Sequence, residues 1–242
     1  NRRAAIRLGV VAALLLALLL WGRSRMIGMP GESYDGPLPA LDEAQAALAE
    51  ELRRDVTALV EGIGERNVEH PSQLEAAARF IERELRRAGL EPRRQSYTVE
   101  GVACHNIEAE IAGGANAARI VVFGGHYDSV LGSPGANDNA SAVAALLAMA
   151  RRFVHADPGL TLRLVFFVNE EPPRFHSEQM GSHVYARRCR ERGEDIAAML
   201  SFDGLGYYAD EPGSQQLPPP FDAVYPNTGD FIAFVGNIDS AP

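Results

Sequence analysis

Three short apolar runs, separated by stretches of helical pattern, limit what this chain can fold into. Arg119–Phe123, Leu162–Val168 and Ala197–Phe202 are each nearly continuous in apolar residues. Strands covered on both faces read this way, because neither face is left for water. Between the first two runs lies Asp138–Phe153, where Ala142, Val143, Leu146, Leu147, Met149 and Ala150 make a wide apolar face at helical spacing. Between the second and third lies Glu178–Arg192, also helical in pattern. Strand, helix, strand, helix, strand predicts an α/β fold with a mixed, largely parallel central sheet flanked by helices.

The remaining segments extend that frame. Leu41, Ala44, Leu48, Leu52, Val56 and Leu59 recur at helical spacing over Leu41–Val60. Ser72 is expected to cap a second helix through Leu85, ended by Gly89 and Pro92. Gln95–Val99 and Asn106–Ile111 alternate as exposed or edge strands do. Asp210–Gly229, rich in proline and glycine, reads as a long surface loop. Phe231–Val235 reads as one more strand, and the domain over residues 41–242 is expected to be incomplete at its C-terminal side.

Residues 1–25 have a different character. Leu8–Trp21 is an unbroken apolar stretch of 14 residues with arginines on both sides. A spanning helix needs about 20 residues, and 14 is typical of a signal-peptide core. No small-x-small cleavage pattern follows, since the chain continues Trp21-Gly22-Arg23-Ser24-Arg25. Adding Gly22 and letting the arginines snorkel gives a marginal membrane span over residues 8–22. An uncleaved anchor is the favoured reading over a cleaved signal. Either places the body outside the cytoplasm, periplasmic or extracellular, and cleavage would make it secreted. Residues 26–40, with Gly28, Pro30, Gly31, Gly36, Pro37 and Pro39, read as a linker.

The net charge of −9 becomes −14 once the five arginines of the first 25 residues are set aside. An acidic body of this kind argues against nucleic acid as a partner, which needs basic patches. Cys104 and Cys189 are too few for a zinc–thiolate cage. They could bridge in an oxidising compartment, but two separate buried thiols are the expectation.

In open α/β sheets, sites lie beyond the carboxyl ends of the strands. The first apolar run leads into Gly124-Gly125-His126-Tyr127-Asp128, the second into Asn169-Glu170-Glu171, and the third into Asp203-Gly204. The Asp138 helix is expected to begin at the same edge. Each residue has a bland explanation alone: Asp138 as a helix cap, the Glu pair as a solvated turn, His126 as a structural histidine. Their convergence changes the reading. Clustered carboxylates repel unless a cation neutralises them, and a divalent metal does so. One histidine among oxygen ligands suits zinc, with manganese or cobalt as alternatives. Pro172-Pro173 ends the second strand, and adjacent side chains diverge from the backbone. One member of the Glu170-Glu171 pair can therefore bind metal while the other serves as a base. The His126-x-Asp128 spacing suits a carboxylate that orients the imidazole through its second nitrogen.

Gly125-His126-Tyr127-Asp128, Gly135-Ala136-Asn137-Asp138-Asn139-Ala140-Ser141, Asn169-Glu170-Glu171 and Phe202-Asp203 together resemble the motifs of the zinc aminopeptidases of metallopeptidase family twenty-eight. Glu178-Gln179-Met180-Gly181-Ser182 is similar to the membrane-anchored bacterial branch. The resemblance covers residues 41–242 and implies a two-zinc exopeptidase acting on peptides with a free N-terminus. It implies that His126 and Asp203 bind one zinc, that Glu171 binds the other, and that Asp138 bridges them. Glu170 would be the general base and Asp128 the partner of His126. In that family the second zinc takes a further histidine downstream of the Asp203 position. None follows Asp203 here: the histidines are His70, His105, His126, His155, His176 and His183. Ala142 also stands where glycine is more usual. Two other readings stay open: a single-zinc, glutaminyl-cyclase-like enzyme, and a non-catalytic membrane-anchored, peptidase-like binding domain. The family's cyclase branch does not use the His126 position for its single metal, and a binding module has little need of Glu170.

Overall fold

The structure is a computed structural model and describes residues 2–26, 34, 36–223 and 225–237. Contacts divide the chain into two units, Leu41–Asp230 and the segments on either side of it. The flanking unit holds α1 (Arg2–Met26), a single helix of 25 residues built mainly from Leu, Ala and Arg, which are good helix formers. Arg2–Ser24, whose most apolar 18-residue stretch has a mean hydropathy of 2.4, is long and apolar enough to cross a membrane. Most of the expected linker lies outside the described residues. The expected strand at Phe231–Val235 does not form, and Val235 is 97% exposed. A strand needs a neighbour for its N–H and C=O groups, and none pairs with this segment among the described residues.

The Leu41–Asp230 unit contains α2 (Glu43–Val60), α3 (Pro71–Arg87), β1 (Arg93–Val99), β2 (Val102–Ile111), β3 (Asn116–His126), α4 (Ser141–Phe153), β4 (Leu160–Phe167), α5 (Gly181–Glu191) and β5 (Asp195–Ser201). The five strands form one sheet in the order β1-β2-β4-β3-β5. β3 pairs in parallel with both β4 and β5, while β2 runs antiparallel to β1 and β4. The α/β expectation of a mixed sheet flanked by helices therefore holds. Strand alternation sorts the core. Leu164, Phe166 and Val168 face the larger apolar cluster with α2, α3 and α4. Val165 and Phe167 face the opposite side, against Tyr185 and Cys189 of α5. Helices on both faces are why β4 reads as a continuous apolar run.

Several boundaries differ from the sequence expectation for identifiable reasons. α3 starts at Pro71, with His70 preceding it and Ser72 inside the first turn. Proline suits the first helical position because its missing N–H has no partner there anyway. β2 is an interior strand. Its polar Asn106 and Glu108 are buried: Asn106 bonds Gly181 O and Val168 N, at 2.8 and 3.1 Å, while Glu108 accepts from Tyr185 and Arg188. Alternation that looked like a wet face is a face turned to the polar underside of α5. β5 is the reverse case, an edge strand with Met199 and Leu200 46% and 39% exposed. α5 begins at Gly181, whose amide is taken by Val168 O at 2.8 Å, so Glu178–Met180 stay outside the helix. α4 begins at Ser141, and Asp138 and Asn139 have non-helical backbones. Cys104 and Cys189 are separate buried thiols.

The close packing of α4 on β3 also accounts for Ala142. A Cβ on Gly125 would stand 2.9 Å from the Ala142 Cβ and 3.2 Å from Phe202 O. The small residue needed at this crossing is supplied by the strand, so the helix can carry the methyl.

Candidate metal centre

The three parallel strands end at one edge, and each ending has a local device that aims its side chains. At the end of β3, His126 is buried. Its Nδ1 lies 3.2 Å from the Asp128 carbonyl oxygen and 3.4 Å from Asp128 Oδ1. An Nδ1–H donated there leaves Nε2 free, and Nε2 lies 3.0 Å from Asp138 Oδ1. After β4, Asn169 adopts φ 62°, a left-handed conformation that asparagine tolerates better than most residues. Its side chain donates to Tyr97 Oη at 3.1 Å. This turn points the next two amides at Asp128: Glu170 N donates to Oδ1 at 3.2 Å and Glu171 N to Oδ2 at 3.1 Å. The buried Asp128 carboxylate thus holds both the histidine and the backbone of the glutamate pair. The Glu170 carboxylate is approached by Ser182 Oγ at 3.4 Å.

Asp138 lies in the wide turn Ala136–Ala140 before α4, not at the helix start. Asn139, rather than Asp138, bonds the start of the helix, accepting Ala142 N at 3.3 Å and donating to Phe202 O at 3.0 Å. Asp138 is 59% exposed at its side chain and is left to face His126. Asn137 and Ser141 reach to the chain after Asp203, accepting from Gly206 N at 2.8 Å and Leu205 N at 3.0 Å. The turn bearing Asp138 and the loop bearing Asp203 are therefore stitched together.

Ligand atoms of His126, Asp138 and Glu171 all lie within 4.8 Å of one another. Zinc with bonds of about 2.0–2.2 Å places its ligands roughly 3.4 Å apart, so this donor set fits the ion with small adjustments. Asp203 stands outside that trio; burial, and after it repulsion from Asp138, raises its carboxyl. None of the other five histidines joins the trio among the described residues. His70 bonds Asn67, His105 bonds Ser96, and His183 bonds Ser177.

The electrostatics carry the mark of crowded acids. Burial, reinforced by neighbouring carboxylates, pushes Glu170, Glu171 and Asp203 above the usual carboxylate range. Asp138 is held below it by its hydrogen bond with His126. Burial alone would depress His126, but its bonds to Asp128 and Asp138 outweigh burial and lift it to about 10. A metal must displace that proton. A histidine raised from 6.5 to about 10 stabilises the fold fully below pH 6.5 and loses that contribution as pH climbs through 10. Acids raised by the fold act in the same sense, losing their contribution as pH rises through their folded values. The metal-free protein is expected to melt at progressively lower temperature from pH 6.5 to 10 in chelator, while zinc affinity rises over the same window. Melting and competition titrations at several pH values check both slopes.

Some supports were not legible in the sequence. Asn169, Asn139 and Ser182 sit beside the recognised acids, and their side chains act on Tyr97, on Ala142 N and Phe202 O, and on the Glu170 carboxylate. Arg66 comes from the polar loop between α2 and α3, 60 positions before His126, and no local pattern marks it.

One imidazole and a set of carboxylates delivered to the carboxyl ends of the parallel strands define a class: α/β proteins with a candidate histidine–carboxylate metal site. The chain belongs to peptidase family M28, whose sequence signature matches residues 106–228, half of its length. It is 34% identical over 201 residues to the uncharacterized protein YfbL of Escherichia coli (strain K12), covering 79% of this chain and 61% of that one. It is 29% identical over 227 residues to a probable zinc metalloprotease of Pyrenophora tritici-repentis (strain Pt-1C-BFP), covering 77% of this chain and 46% of that one. The chain thus spans about half to three fifths of the length of these relatives. Among solved structures the fold is similar to BSAP, a zinc aminopeptidase from Bacillus subtilis, with a TM-score of 0.59 at 14% identity over 70% of this chain and 74% of that one. It is also similar to the glutaminyl cyclase of Porphyromonas gingivalis, with a TM-score of 0.55 at 21% identity over 69% of this chain and 64% of that one.

Proposed function

We propose that this chain carries the centre of a zinc aminopeptidase that removes N-terminal residues from peptides. The observation that carries the reading is the His126–Asp138–Glu171 trio, with Glu170 adjacent in the chain and its carboxylate met by Ser182. His126, Asp138 and Glu171 would hold the zinc, and Asp203 beside them would complete the donor set for a second ion. Bound zinc supplies Lewis acidity to a peptide carbonyl and acidifies a water. Asp128 keeps the His126 ring turned with Nε2 toward the acids. Glu170, its carboxyl raised by burial, takes the proton from the attacking water and returns it to the departing amine. Residues 8–22 anchor the chain in a membrane, with the body on the extracytoplasmic side.

The fold likeness extends to glutaminyl cyclases and does not by itself choose a reaction. His126 within the trio favours the peptidase. Zinc-loaded protein offered aminoacyl anilides, their N-acetylated forms and an N-terminal glutaminyl peptide separates the readings. Cleavage of free but not acetylated substrates, stopped by chelator, is expected. Cyclisation of the glutaminyl peptide without cleavage would put the cyclase in its place. Zinc binding with no turnover would leave a binding domain.

A further inference from the structure

The loop Gly64–Asn67 lies between α2 and α3, remote in sequence from every proposed ligand. Arg66 within it is fully buried. Other buried arginines are held by acids: Arg163 by Glu110 and Glu194, Arg174 by Glu69 and Glu100. Arg66 is held instead by carbonyl oxygens. Its Nε donates to Tyr127 O at 2.6 Å, one terminal nitrogen donates to Gly64 O at 3.1 Å and also to Pro134 O, and the other donates to Gly135 O at 2.9 Å.

Three of those carbonyls belong to the loop that joins His126 to the Asp138 turn, one at its start and two at its end. The backbone of Arg66 grips the middle. Its N–H donates to Ser129 Oγ at 3.1 Å, and its carbonyl accepts Ser129 N at 2.9 Å. Neighbours complete the seam: Asn67 donates to Ser129 O at 3.1 Å and Glu65 accepts Gly132 N at 2.9 Å. Gly135 shows how closely the parts fit. It has φ 56°, and a Cβ there would stand 2.3 Å from Asp138 O and 3.3 Å from the guanidinium. One planar fork thus closes both ends of the loop between two proposed ligands. No ion pair of Arg66 with a carboxylate is found among the described residues, and its charge is felt by Asp138.

We propose that Arg66 is a positioning residue of the metal centre, whose guanidinium fixes the Tyr127–Gly135 loop so that His126 and Asp138 meet at one ion. The inference rests on the zinc reading above. Lysine keeps the charge but replaces the fork with a single nitrogen, which cannot span carbonyls at both ends of the loop. Zinc affinity is measured on the full chain by competition with a chromophoric chelator, for wild type, Arg66→Lys and Arg163→Lys. Melting in chelator is recorded alongside. Both variants lower the melting temperature. Arg66→Lys is expected to weaken zinc by about 10–100-fold, the range for outer partners of metal ligands, and Arg163→Lys to leave it unchanged. Unchanged zinc affinity in folded Arg66→Lys, or an equal loss in Arg163→Lys, overturns the proposal. Should Arg66→Lys fail to fold, Ser129→Ala removes one bond of the same seam; weaker zinc binding then supports the role and unaltered binding overturns it. Absence of zinc binding by the wild type would overturn the metal reading, and this inference with it.

Discussion

Glu170→Gln is expected to lower peptide hydrolysis by about 10²–10⁴-fold while leaving the zinc content unchanged. The two effects separate because Glu170 and Glu171 play different parts. Glu171 contributes an oxygen to the trio with His126 and Asp138. Glu170 sits beside that trio, its carboxylate met by Ser182 and its backbone N–H spent on Asp128. Glutamine preserves the shape and the backbone bond but cannot accept a proton. The raised carboxyl of Glu170 is what a base poised toward neutral pH requires. Zinc stoichiometry measured with kcat decides the matter. Loss of zinc in Glu170→Gln would reverse the assignment of base and ligand between the two glutamates.

His126→Ala is expected to cost more zinc affinity than any outer substitution, beyond the about 10–100-fold of an orienting partner. The imidazole is the only nitrogen donor in the trio. Its removal also takes the proton donor away from Asp128 and leaves Asp138 without the hydrogen bond that lowers its carboxyl. The two carboxylates left in the trio, Asp138 and Glu171, then face each other without the imidazole, and the ion has lost one of its three ligands. Competition titration at pH 7 and elemental analysis measure the loss. Unchanged zinc stoichiometry would sink the metal-site assignment, and with it the proposed activity.

The sequence was informative where chemistry and periodicity coincide. Arg119–Phe123 and Leu162–Val168 read as buried strands because helices cover both sides of them, and apolar continuity is the direct trace of that cover. The same signal misled at Ala197–Phe202. β5 is equally apolar, yet it lies at an edge with its side chains exposed, and composition carries no record of which neighbours a strand finds. Asn106 and Glu108 misled in the opposite direction. Their polarity suggested water, while the fold answers it with Gly181, Tyr185 and Arg188 of α5. Asp138 was legible as an acid near a helix start. That Asn139 takes over the capping and frees Asp138 for His126 depends on the Phe202 carbonyl arriving from β5.

The sequence by itself determined the α/β order, the residue types at the strand ends and the membership in peptidase family M28. Each of these is local: a periodicity, a short motif, a turn residue. Only the tertiary structure decided that His126, Asp138 and Glu171 come within 4.8 Å of one another, that Asp203 stands just outside them, and that Asp128 holds two of the three strand ends. Only it brought in Arg66. A guanidinium bonding backbone carbonyls leaves no pattern in the sequence, because every residue has a carbonyl. Its role exists solely where the chain folds back on itself.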